Sequence, residues 1–482
     1  MKRLVVLIAI IFTAFFLRTY QLKQFPPGLY PDEAMNGNNA LETLATGNWK
    51  AFYPENNGRE GLFINIQALF VKALGNEPWV LRLPSTFFGT LTVIGIYFAA
   101  QELFRRRAHG GRIALFASFF AATSFWHIIF SRIGFRAVTA PFYLVWGIYF
   151  LLAALRKERY MPYAMLGGLF YGLGFHSYIA YRGTPLLILI LLIVTWKERG
   201  VSMERIKKTT ITFTTTTCIA IVPLALYFIQ HPQDFLGRTA QVSVFSSPTL
   251  LKDLTWNIAK TIGMFNIYGD GNWRHNLAGR PELFWPVGIV FLVGIFLSIR
   301  HIVKEKKWGS PETIVFSWLA ITALPVVISN EGIPHALRAI IMIPAVFILA
   351  GIGASYMTGI LVHFTSSRYA ATSIFLIASL LTFEAYYTYF IAWGPSPETA
   401  GAFAQNYADL GRQLNSLPPS LPKYIVVEAS GGVVRGLPMP AQTTMFITDT
   451  FTPEKQRLKN IHYVLPENKN SIPPNSFIAY IR

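Results

Sequence analysis

The chain has 482 residues, of which 52% are hydrophobic and only 14% are charged, against about 25% charged residues in a typical soluble protein. This composition excludes a disordered, collagen-like or disulfide-stapled chain and argues against a water-soluble enzyme. The 42 Lys and Arg outnumber the 24 Asp and Glu, an excess that in a membrane protein is typical of cytoplasmic loops rather than of nucleic-acid binding. The single cysteine, Cys218, excludes an intrachain disulfide and a cysteine-based zinc site.

Apolar segments of membrane-spanning length recur along most of the chain. One spanning helix needs about 20 mainly apolar residues. Eleven segments are candidates, the sixth of them short: 4–20, 79–103, 113–130, 138–155, 162–180, 184–196, 209–229, 284–300, 313–329, 339–359 and 370–391. The apolar segment 61–75 is too short to span and predicts an interfacial or re-entrant helix. We therefore predict an all-α polytopic membrane bundle of about eleven transmembrane helices with external interfacial helices.

The Lys and Arg content of the loops predicts the orientation of this bundle. If the N-terminus is cytoplasmic, the loops on that side are all short and basic: 105–112, 156–159, 197–208, 300–307 and 363–368. The loops on the opposite side are longer and mixed in charge. We expect a multi-pass protein of the cell membrane with a cytoplasmic N-terminus and an external C-terminus. No small-residue cleavage site precedes Arg18, so we expect the first helix to be retained rather than removed as a signal peptide.

The C-terminal segment, residues 393–482, differs in character from the rest of the chain. It combines Pro-rich turn segments, an amphipathic stretch at 403–417 and the short β-type runs YIVVEA, TMFIT, IHYVL and FIAYI. This pattern predicts a small external α/β domain. It would follow a transmembrane domain, residues 1–392, whose long external loops are 21–78 and 230–283. We find no catalytic motif in the C-terminal segment.

Polar residues concentrate in the predicted external loops. They include Asp32, Glu33, Arg59, Glu60, Arg132, Arg136, Arg182, Asp270, His275, Glu331, His335 and Arg338. Each has an ordinary structural explanation when taken alone, because an arginine near a helix end usually extends to lipid headgroups and a lone histidine usually forms a structural hydrogen bond. Together, five loops remote in sequence bring arginine to the face where basic residues are least expected. We infer that an anionic ligand binds at the external interface.

A sugar carried on a polyprenyl phosphate fits such an interface. Its headgroup lies at the bilayer surface while the lipid lies between helices. Transfer to an acceptor hydroxyl needs a carboxylate as general base and fixed positive charge on the departing phosphate. The sequence contains no Walker loop, no GxGxxG motif after a strand and no HExxH motif. No cofactor is predicted, and a divalent-metal requirement is left open.

Several motifs resemble a known family. They are YPDEA, GREGLF with WVLRLPSTFFGTLTV, SRIGFRAVTAPF, GLGFHSYIAYRGTP, FNIYGDGNWRHNLAGRP and EGIPHALRAIIMIPAVFILAG. With these, residues 1–393 resemble the membrane glycosyltransferases of superfamily C, in the protein O-mannosyltransferase and aminoarabinose-transferase family. The resemblance implies a polyprenyl-phosphate sugar donor, inversion at the anomeric carbon, and Asp32 as the base with Glu33 beside it. Aminoarabinose transferases have Lys-Pro-Pro-Leu where this chain has Arg59-Glu60-Gly61-Leu62, so the phosphate contact there passes to Arg59 or another arginine.

These observations give a set of expected site residues. The catalytic pair is Asp32 and Glu33; the donor phosphate is bound by Arg59, Arg132, Arg136, Arg182 and Arg338; and substrate contacts come from Glu60, His275, Glu331 and His335. We expect at least three of the five arginines to converge on one cavity. The expected partners are the lipid-linked donor, membrane lipid and an acceptor that is a protein, a lipid or a glycan, but not nucleic acid.

Two other classes of protein remain open at this point. A polytopic transporter or flippase would place its charged residues near the bilayer midplane, on broken helices. An envelope assembly or sensor protein would act through its C-terminal segment. The depth of Asp32 distinguishes transfer from transport, because a transferase base belongs at the external interface.

Overall fold

The computed structural model describes residues 2–235, 244–246, 248–330 and 332–482. Helices dominate its first four-fifths, as expected where the backbone must satisfy its own hydrogen bonds in lipid. The helices are α1 (Lys2–Thr19), α2 (Pro31–Thr46), α3 (Gly61–Leu74), α4 (Pro78–Leu103), α5 (Gly110–Thr123), α6 (Phe125–Phe130), α7 (Thr139–Arg156), α8 (Tyr160–Leu173), α9 (Pro185–Arg199), α10 (Met203–Gln230), α11 (Leu250–Gly263), α12 (Trp285–Val303), α13 (Pro311–Val327), α14 (Ile343–Phe364) and α15 (Ser367–Tyr386). A π-helical segment, Tyr387–Trp393, continues α15.

The helices overlap all eleven predicted spans. Within the described part of the chain, seven helical segments are long and apolar enough to cross a membrane: Pro78–Leu103, Arg136–Arg156, Ile179–Lys197, Met203–Gln230, Trp285–Val303, Ile340–Phe364 and Ser367–Trp393. The helices α3, α5 and α13 are apolar but shorter. The multi-pass membrane bundle is thus confirmed, whereas the count of eleven spans and the orientation stay predictions.

Two predicted spans are interrupted. In 162–180, α8 ends at Leu173 and two 3-10 turns follow it, with Tyr178 in extended backbone between them. The segment 113–130 is not a single helix, because α5 ends before Ser124 and α6 begins after it. Ser124 has extended backbone, with φ −69° and ψ 123°, and its side chain accepts a hydrogen bond from the backbone N–H of His127. A serine that caps a new helix in this way stabilises a break that the surrounding hydrophobicity conceals.

Close helix contact in the bundle depends on glycine where α12 crosses α14. A β-carbon at Gly294 would collide with the carbonyl oxygen of Leu349, and one at Gly353 would collide with that of Val290. Small residues let two backbones approach closely, and the resulting van der Waals packing is one of the interactions that hold helices together in lipid. The buried helix α14 therefore lies directly against α12.

The first loop, residues 21–78, contains α2, a short hairpin and α3. Pro31 occupies the first turn of α2, and the Tyr30 N–H donates to Glu33 Oε2 at 3.3 Å, as in a capping box. Two strands form the hairpin: β1 (Phe52–Tyr53) and β2 (Arg59–Glu60), which are antiparallel. The helix expected at 61–75 is confirmed as α3, directly after the hairpin. This order holds residues 59 and 60 beside α2.

The C-terminal segment contains helices and a small sheet. Its elements are α16 (Pro397–Ala402), α17 (Gln405–Ser416), β3 (Lys423–Val427), β4 (Val433–Val434), β5 (Leu437–Pro438), α18 (Ala441–Thr448), α19 (Pro453–Lys459), β6 (Ile461–Val464) and β7 (Phe477–Ile481). The strands β6, β3 and β7 form a parallel sheet in that order. The amphipathic stretch 403–417 is confirmed as α17.

The prediction of a strand at TMFIT, residues 444–448, is wrong, because these residues belong to α18. This helix is buried against α2 and the first loop, where Thr443 Oγ1 donates to the Leu29 carbonyl at 2.8 Å. The Asn38 side-chain amide of α2 donates to Gln442 Oε1 at 2.9 Å. Tertiary packing of this kind overrides the β-propensity of threonine and isoleucine.

Candidate active site

A cavity of about 690 Å³, here called the Asp32 cavity, lies where the first loop meets five other parts of the chain. Those parts are the turn before α7, the turn before α9, the segment after α10, the end of α13 and the segment before α14. Its polar lining includes Asp32, Asn36, Asn56, Arg59, Glu60, Arg136, Arg182, Asp234, His335 and Arg338. Segments separated by about 300 residues in sequence thus contribute to one site.

Asp32 lies in the first turn of α2 and is partly buried. The Asn56 side-chain amide donates to its Oδ1 atom at 2.7 Å. Its other oxygen, Oδ2, has no hydrogen-bond partner among the described residues. A carboxylate that is held through one oxygen and keeps the second available has the arrangement needed to accept a proton.

Glu33 has a different environment from its neighbour Asp32. It is fully buried and pairs with Arg82, whose Nε lies 3.0 Å from Glu33 Oε1. The same oxygen accepts the Gly134 N–H at 2.7 Å. Glu33 is not part of the cavity lining, so the structure places it where it fixes the start of α2 and so positions Asp32.

Arg59 is buried and is held by two asparagines of α2. It donates from Nη1 to Asn36 Oδ1 at 2.8 Å and from Nη2 to Asn39 Oδ1 at 2.6 Å. Burial, followed by the charge of Arg136, lowers the pKa of Arg59 to about 10. The guanidinium therefore stays protonated at neutral pH, but in an environment that favours an added negative charge.

The other cavity arginines are held in different ways. Arg136 Nε donates to Glu60 Oε2 at 2.7 Å, so its charge is partly neutralised. Arg182 donates to the Phe235 carbonyl at 2.6 Å, and its guanidinium lies 4.4 Å from the centre of the Phe235 ring. Arg338 is hydrogen-bonded to the Ser329 side chain. Among the described residues, neither Arg59 nor Arg182 has a carboxylate partner within ion-pair distance.

The structure does not bring Arg132 to this cavity. Its guanidinium is fully buried in the bundle, where it donates to the Leu17 carbonyl at 3.1 Å and to the Phe25 carbonyl at 3.0 Å. It also lies 4.7 Å from the centre of the Tyr389 ring. Arg132 thus joins the end of α1 to the π-helical segment that continues α15, and the sequence could not distinguish this role from phosphate binding.

The cavity is amphipathic. Its lining carries four arginines against three carboxylates, Asp32, Glu60 and Asp234. Asp234 is engaged by the Tyr227 hydroxyl, which donates at 2.7 Å. The lining also contains apolar side chains, among them Phe245, Ile321, Leu324, Pro325 and Ile328. A guest with an anionic head and a hydrocarbon chain matches this combination.

The predicted histidines separate into two positions. His335 lines the cavity, whereas His275 is absent from the lining and pairs with Asp270, whose Oδ2 lies 3.0 Å from its Nδ1. Burial, then the charges of His275 and Arg338, lower the pKa of His335 to about 3, so it is neutral at physiological pH. Glu331 lies outside the described residues.

Sequence reasoning missed several residues that support the site: Asn36, Asn39, Asn56 and Arg82. A signal for two of them was present, because Asn36 and Asn39 are three residues apart and therefore share a face of α2. Asn56 had no such signal, because its contact with Asp32 depends on the hairpin.

Comparison with known proteins agrees with this architecture. A family model described as dolichyl-phosphate-mannose-protein mannosyltransferase matches residues 62–230. No curated protein sequence matches the chain significantly. Among solved structures, ArnT from Cupriavidus metallidurans bound to undecaprenyl phosphate is 13% identical, with a TM-score of 0.57 over 99% of this chain and 89% of that one.

A second group of solved structures has the same fold. The archaeal oligosaccharyltransferase AglB from Archaeoglobus fulgidus, in complex with an inhibitory peptide and a dolichol-phosphate, is 14% identical with a TM-score of 0.57. That alignment covers 92% of this chain and 63% of AglB. The fold is therefore that of the membrane glycosyltransferases of superfamily C. The chain shares this fold with ArnT and AglB, and its residues 62–230 are similar to the mannosyltransferase family.

Proposed function

We propose that the protein is an inverting glycosyltransferase that moves a sugar from a polyprenyl-phosphate donor to an acceptor hydroxyl at the external membrane face. One observation carries this proposal: Asp32 and four arginines from remote segments line the same cavity. The undecaprenyl phosphate bound to ArnT and the dolichol-phosphate bound to AglB support a lipid-phosphate donor. The acceptor is a protein, a lipid or a glycan.

In the proposed reaction, Asp32 accepts the proton of the acceptor hydroxyl. The acceptor oxygen attacks the anomeric carbon from the face opposite the phosphate. The new carbon–oxygen bond forms as the bond from the anomeric carbon to the phosphate oxygen breaks, so the configuration inverts. Polyprenyl phosphate leaves with the electron pair of that bond. Asn56 orients Asp32 through Oδ1 and leaves Oδ2 for the proton.

The arginines bind the departing phosphate. Arg59 and Arg182 are the strongest candidates, because both are at least half buried and neither has a carboxylate partner among the described residues. Arg136 and Arg338 complete the positive end of the cavity. Guanidinium groups fixed beforehand stabilise developing phosphate charge without reorganisation during the reaction. Glu60 and His335 contact the sugar or the acceptor.

The placement of Asp32 favours transfer over transport. Asp32 belongs to α2 in the first loop, outside the helices that are long enough to span a membrane. A transporter of an anionic substrate is expected to place its charged groups within broken spanning helices. The apolar part of the lining, beside the end of α13, accommodates the lipid chain of the donor.

The test is a transfer assay on purified protein with polyprenyl-phosphate sugars, measuring release of sugar to a hydroxyl acceptor. Asp32→Asn keeps the size of the side chain but removes its basicity, so turnover should fall about 10²–10⁴-fold while donor binding persists. Asp409→Asn, at an exposed position of α17, is the matched control and should be as active as the unaltered protein. Near-normal turnover of Asp32→Asn with a confirmed donor would remove the proposed base.

A further inference from the structure

The helix α11 exposes apolar side chains and directs polar ones toward the bundle. Asn257 and Thr261 are buried, with 9% and 3% of their surface exposed, whereas Leu251 and Ile262 are 81% and 70% exposed. Ile258, on the same helical face as Leu251 and Ile262, is 46% exposed. A surface helix in water has the opposite distribution, because its apolar stripe packs on the core. The outer face of α11 therefore matches an apolar environment rather than water.

Two contacts place α11 at the level where helices of the bundle begin and end. The Asn257 side-chain amide donates to the carbonyl oxygens of Val327 and Ser329, at 2.9 Å and 2.8 Å, where α13 ends. Directly after α11, the Phe265 carbonyl accepts the Leu283 N–H at 3.2 Å, two residues before α12. The helix α12 is long and apolar enough to span a membrane, and the ends of such helices lie near the surface of the hydrocarbon layer. The helix α11 therefore lies at the boundary between hydrocarbon and headgroups.

We propose that α11 docks on the phospholipid surface at the side of the Asp32 cavity, with its apolar face between the headgroups and the acyl chains. The end of α13 that accepts from Asn257 also lines the cavity, which identifies the side. Lys252 and Lys260 are exposed and suit the phosphates of the headgroups. Trp256 is 57% exposed, and tryptophan is enriched at this boundary. Interfacial amphipathic helices of this kind bury their apolar face about 5–10 Å deep.

The apolar face of α11 continues a surface that already faces lipid. The helix α12 begins with the exposed Trp285, and Ile289, Leu292 and Phe296 of the same helix are exposed as well. Because α12 is a candidate membrane span, these apolar side chains face the acyl chains. The contact through Phe265 joins the end of α11 to the start of this surface, so the lipid around α12 also reaches α11. Lipid therefore fits the outer face of α11 better than a protein partner does.

Docking of α11 also connects lipid to the Asp32 cavity. Ser329, whose carbonyl accepts from Asn257, is hydrogen-bonded through its side chain to Arg338 of the cavity lining. The wall of the cavity that contains Ser329 and Arg338 is thus attached to a helix that lipid would hold in place. The inference concerns contact between α11 and lipid, and it holds whether or not the cavity transfers a sugar.

The experiment places an environment-sensitive fluorophore on single cysteines of the full chain in nanodiscs of phosphatidylcholine and phosphatidylglycerol. Cys218→Ala removes the native cysteine, and Ile258→Cys or Ile262→Cys then places the label on the apolar face of α11. Glu454→Cys, at an exposed position of α19, is the matched control. Lipid with a nitroxide quencher just below the headgroup should lower the fluorescence at 258 and 262 at least about twofold and that at 454 by less than about a tenth. A quencher at the end of the acyl chain should act more weakly, because an interfacial helix stays near the surface.

A second measurement uses the unaltered protein and so does not depend on the cysteine variants. Nanodiscs that contain a lipid with a photoreactive diazirine in the upper part of its acyl chain are irradiated, and cross-linked peptides are identified by mass spectrometry. We expect lipid cross-links in residues 250–263 and in α12, but not in β6 and β7. Cross-linking of α12 without cross-linking of 250–263 would overturn the proposal. Equally weak quenching at 262 and 454, as a covering protein would give, would overturn it too, and so would stronger quenching from the end of the acyl chain.

Discussion

At the scale of single residues, arginines with similar sequence contexts have opposite environments. Arg59 is buried with its guanidinium on two neutral amide oxygens, at the edge of a cavity that contains other positive charges. Arg132 is just as buried, but backbone carbonyls and aromatic rings satisfy it within the bundle. The first arrangement leaves charge available for an anion, whereas the second uses the charge to join helices.

The first residue-scale prediction concerns Arg59→Gln. A charge-assisted hydrogen bond contributes about 1.5–3 kcal/mol, so kcat/KM for the donor should fall roughly 10–100-fold. Steady-state kinetics at varied donor concentration measures this change. Arg412→Gln, at an exposed position of α17, is the control and should leave the kinetics unaltered. A donor dependence of Arg59→Gln equal to that of the unaltered protein would exclude Arg59 from phosphate binding.

The second residue-scale prediction concerns Arg132→Gln. Removing the guanidinium leaves the Leu17 and Phe25 carbonyls without a donor, so the thermal midpoint in detergent should fall by several degrees. The KM for the donor should stay within about twofold, because Arg132 is absent from the cavity lining. Fluorescence-detected size exclusion after heating measures the midpoint. An unchanged midpoint with a raised KM would restore Arg132 to the phosphate site.

At the scale of elements, the C-terminal segment fastens the first loop through Arg435. This residue donates to Glu42 Oε2 at 2.9 Å and to Glu55 Oε1 at 2.7 Å. Glu55 in turn accepts from Asn39 at 3.3 Å, and Asn39 holds Arg59. A continuous set of contacts thus connects the C-terminal segment to the cavity.

This connection should depend on pH through Glu55. Burial alone would raise the pKa of Glu55, but the hydrogen bond and charge of Arg435 lower it below its ordinary 4.5. A lowered pKa in the folded protein means that its stabilisation is complete above about pH 4.5 and is lost as the pH falls through the lowered value. The exchange rate of the backbone amide hydrogens in residues 433–448, corrected for the intrinsic rate at each pH, should therefore increase as the pH falls below about 4.5.

Arg435→Gln should remove most of this pH dependence and raise exchange of 433–448 about threefold to tenfold at neutral pH, because two partly exposed ion pairs are lost. Arg482→Gln, which breaks the ion pair with Glu428, is the matched control and should leave that exchange unchanged. Equal protection in Arg435→Gln and the unaltered protein would show that the ion pairs do not fasten the loop.

Sequence patterns captured the helices and the convergence of Asp32 with four arginines, because hydrophobic length and charge asymmetry are properties of the chain itself. They failed at Ser124, where one cap breaks an apolar run, and at α18, where packing on α2 reverses a β-type composition. They also could not separate Arg132 from Arg136. Arg132 is buried in the bundle, whereas Arg136, in the turn Arg136–Val138, pairs with Glu60.

At the scale of the whole molecule, we predict that the N-terminus is cytoplasmic and the C-terminal segment external, since the basic loops alternate without exception. Reporter fusions after Arg107, Lys208 and Lys307 should read cytoplasmic, and a fusion after Arg482 should read external. The fusions after Arg107 and Lys307 should give the same result, because Arg107 contacts Glu312 and the two loops therefore lie at the same end of the bundle. A cytoplasmic reading at Arg482 would place the Asp32 cavity on the other side of the membrane.

The contacts of Arg435 also set an order of assembly during synthesis. Arg435 lies 380 residues after Glu55 and 393 after Glu42. At about 5–20 residues per second, a ribosome makes that stretch in roughly 20–80 s. For that interval the first loop is already translated while the residues that fasten it are not. The proposed base and its phosphate-binding arginines therefore reach their final geometry late, after most of the bundle has been synthesised.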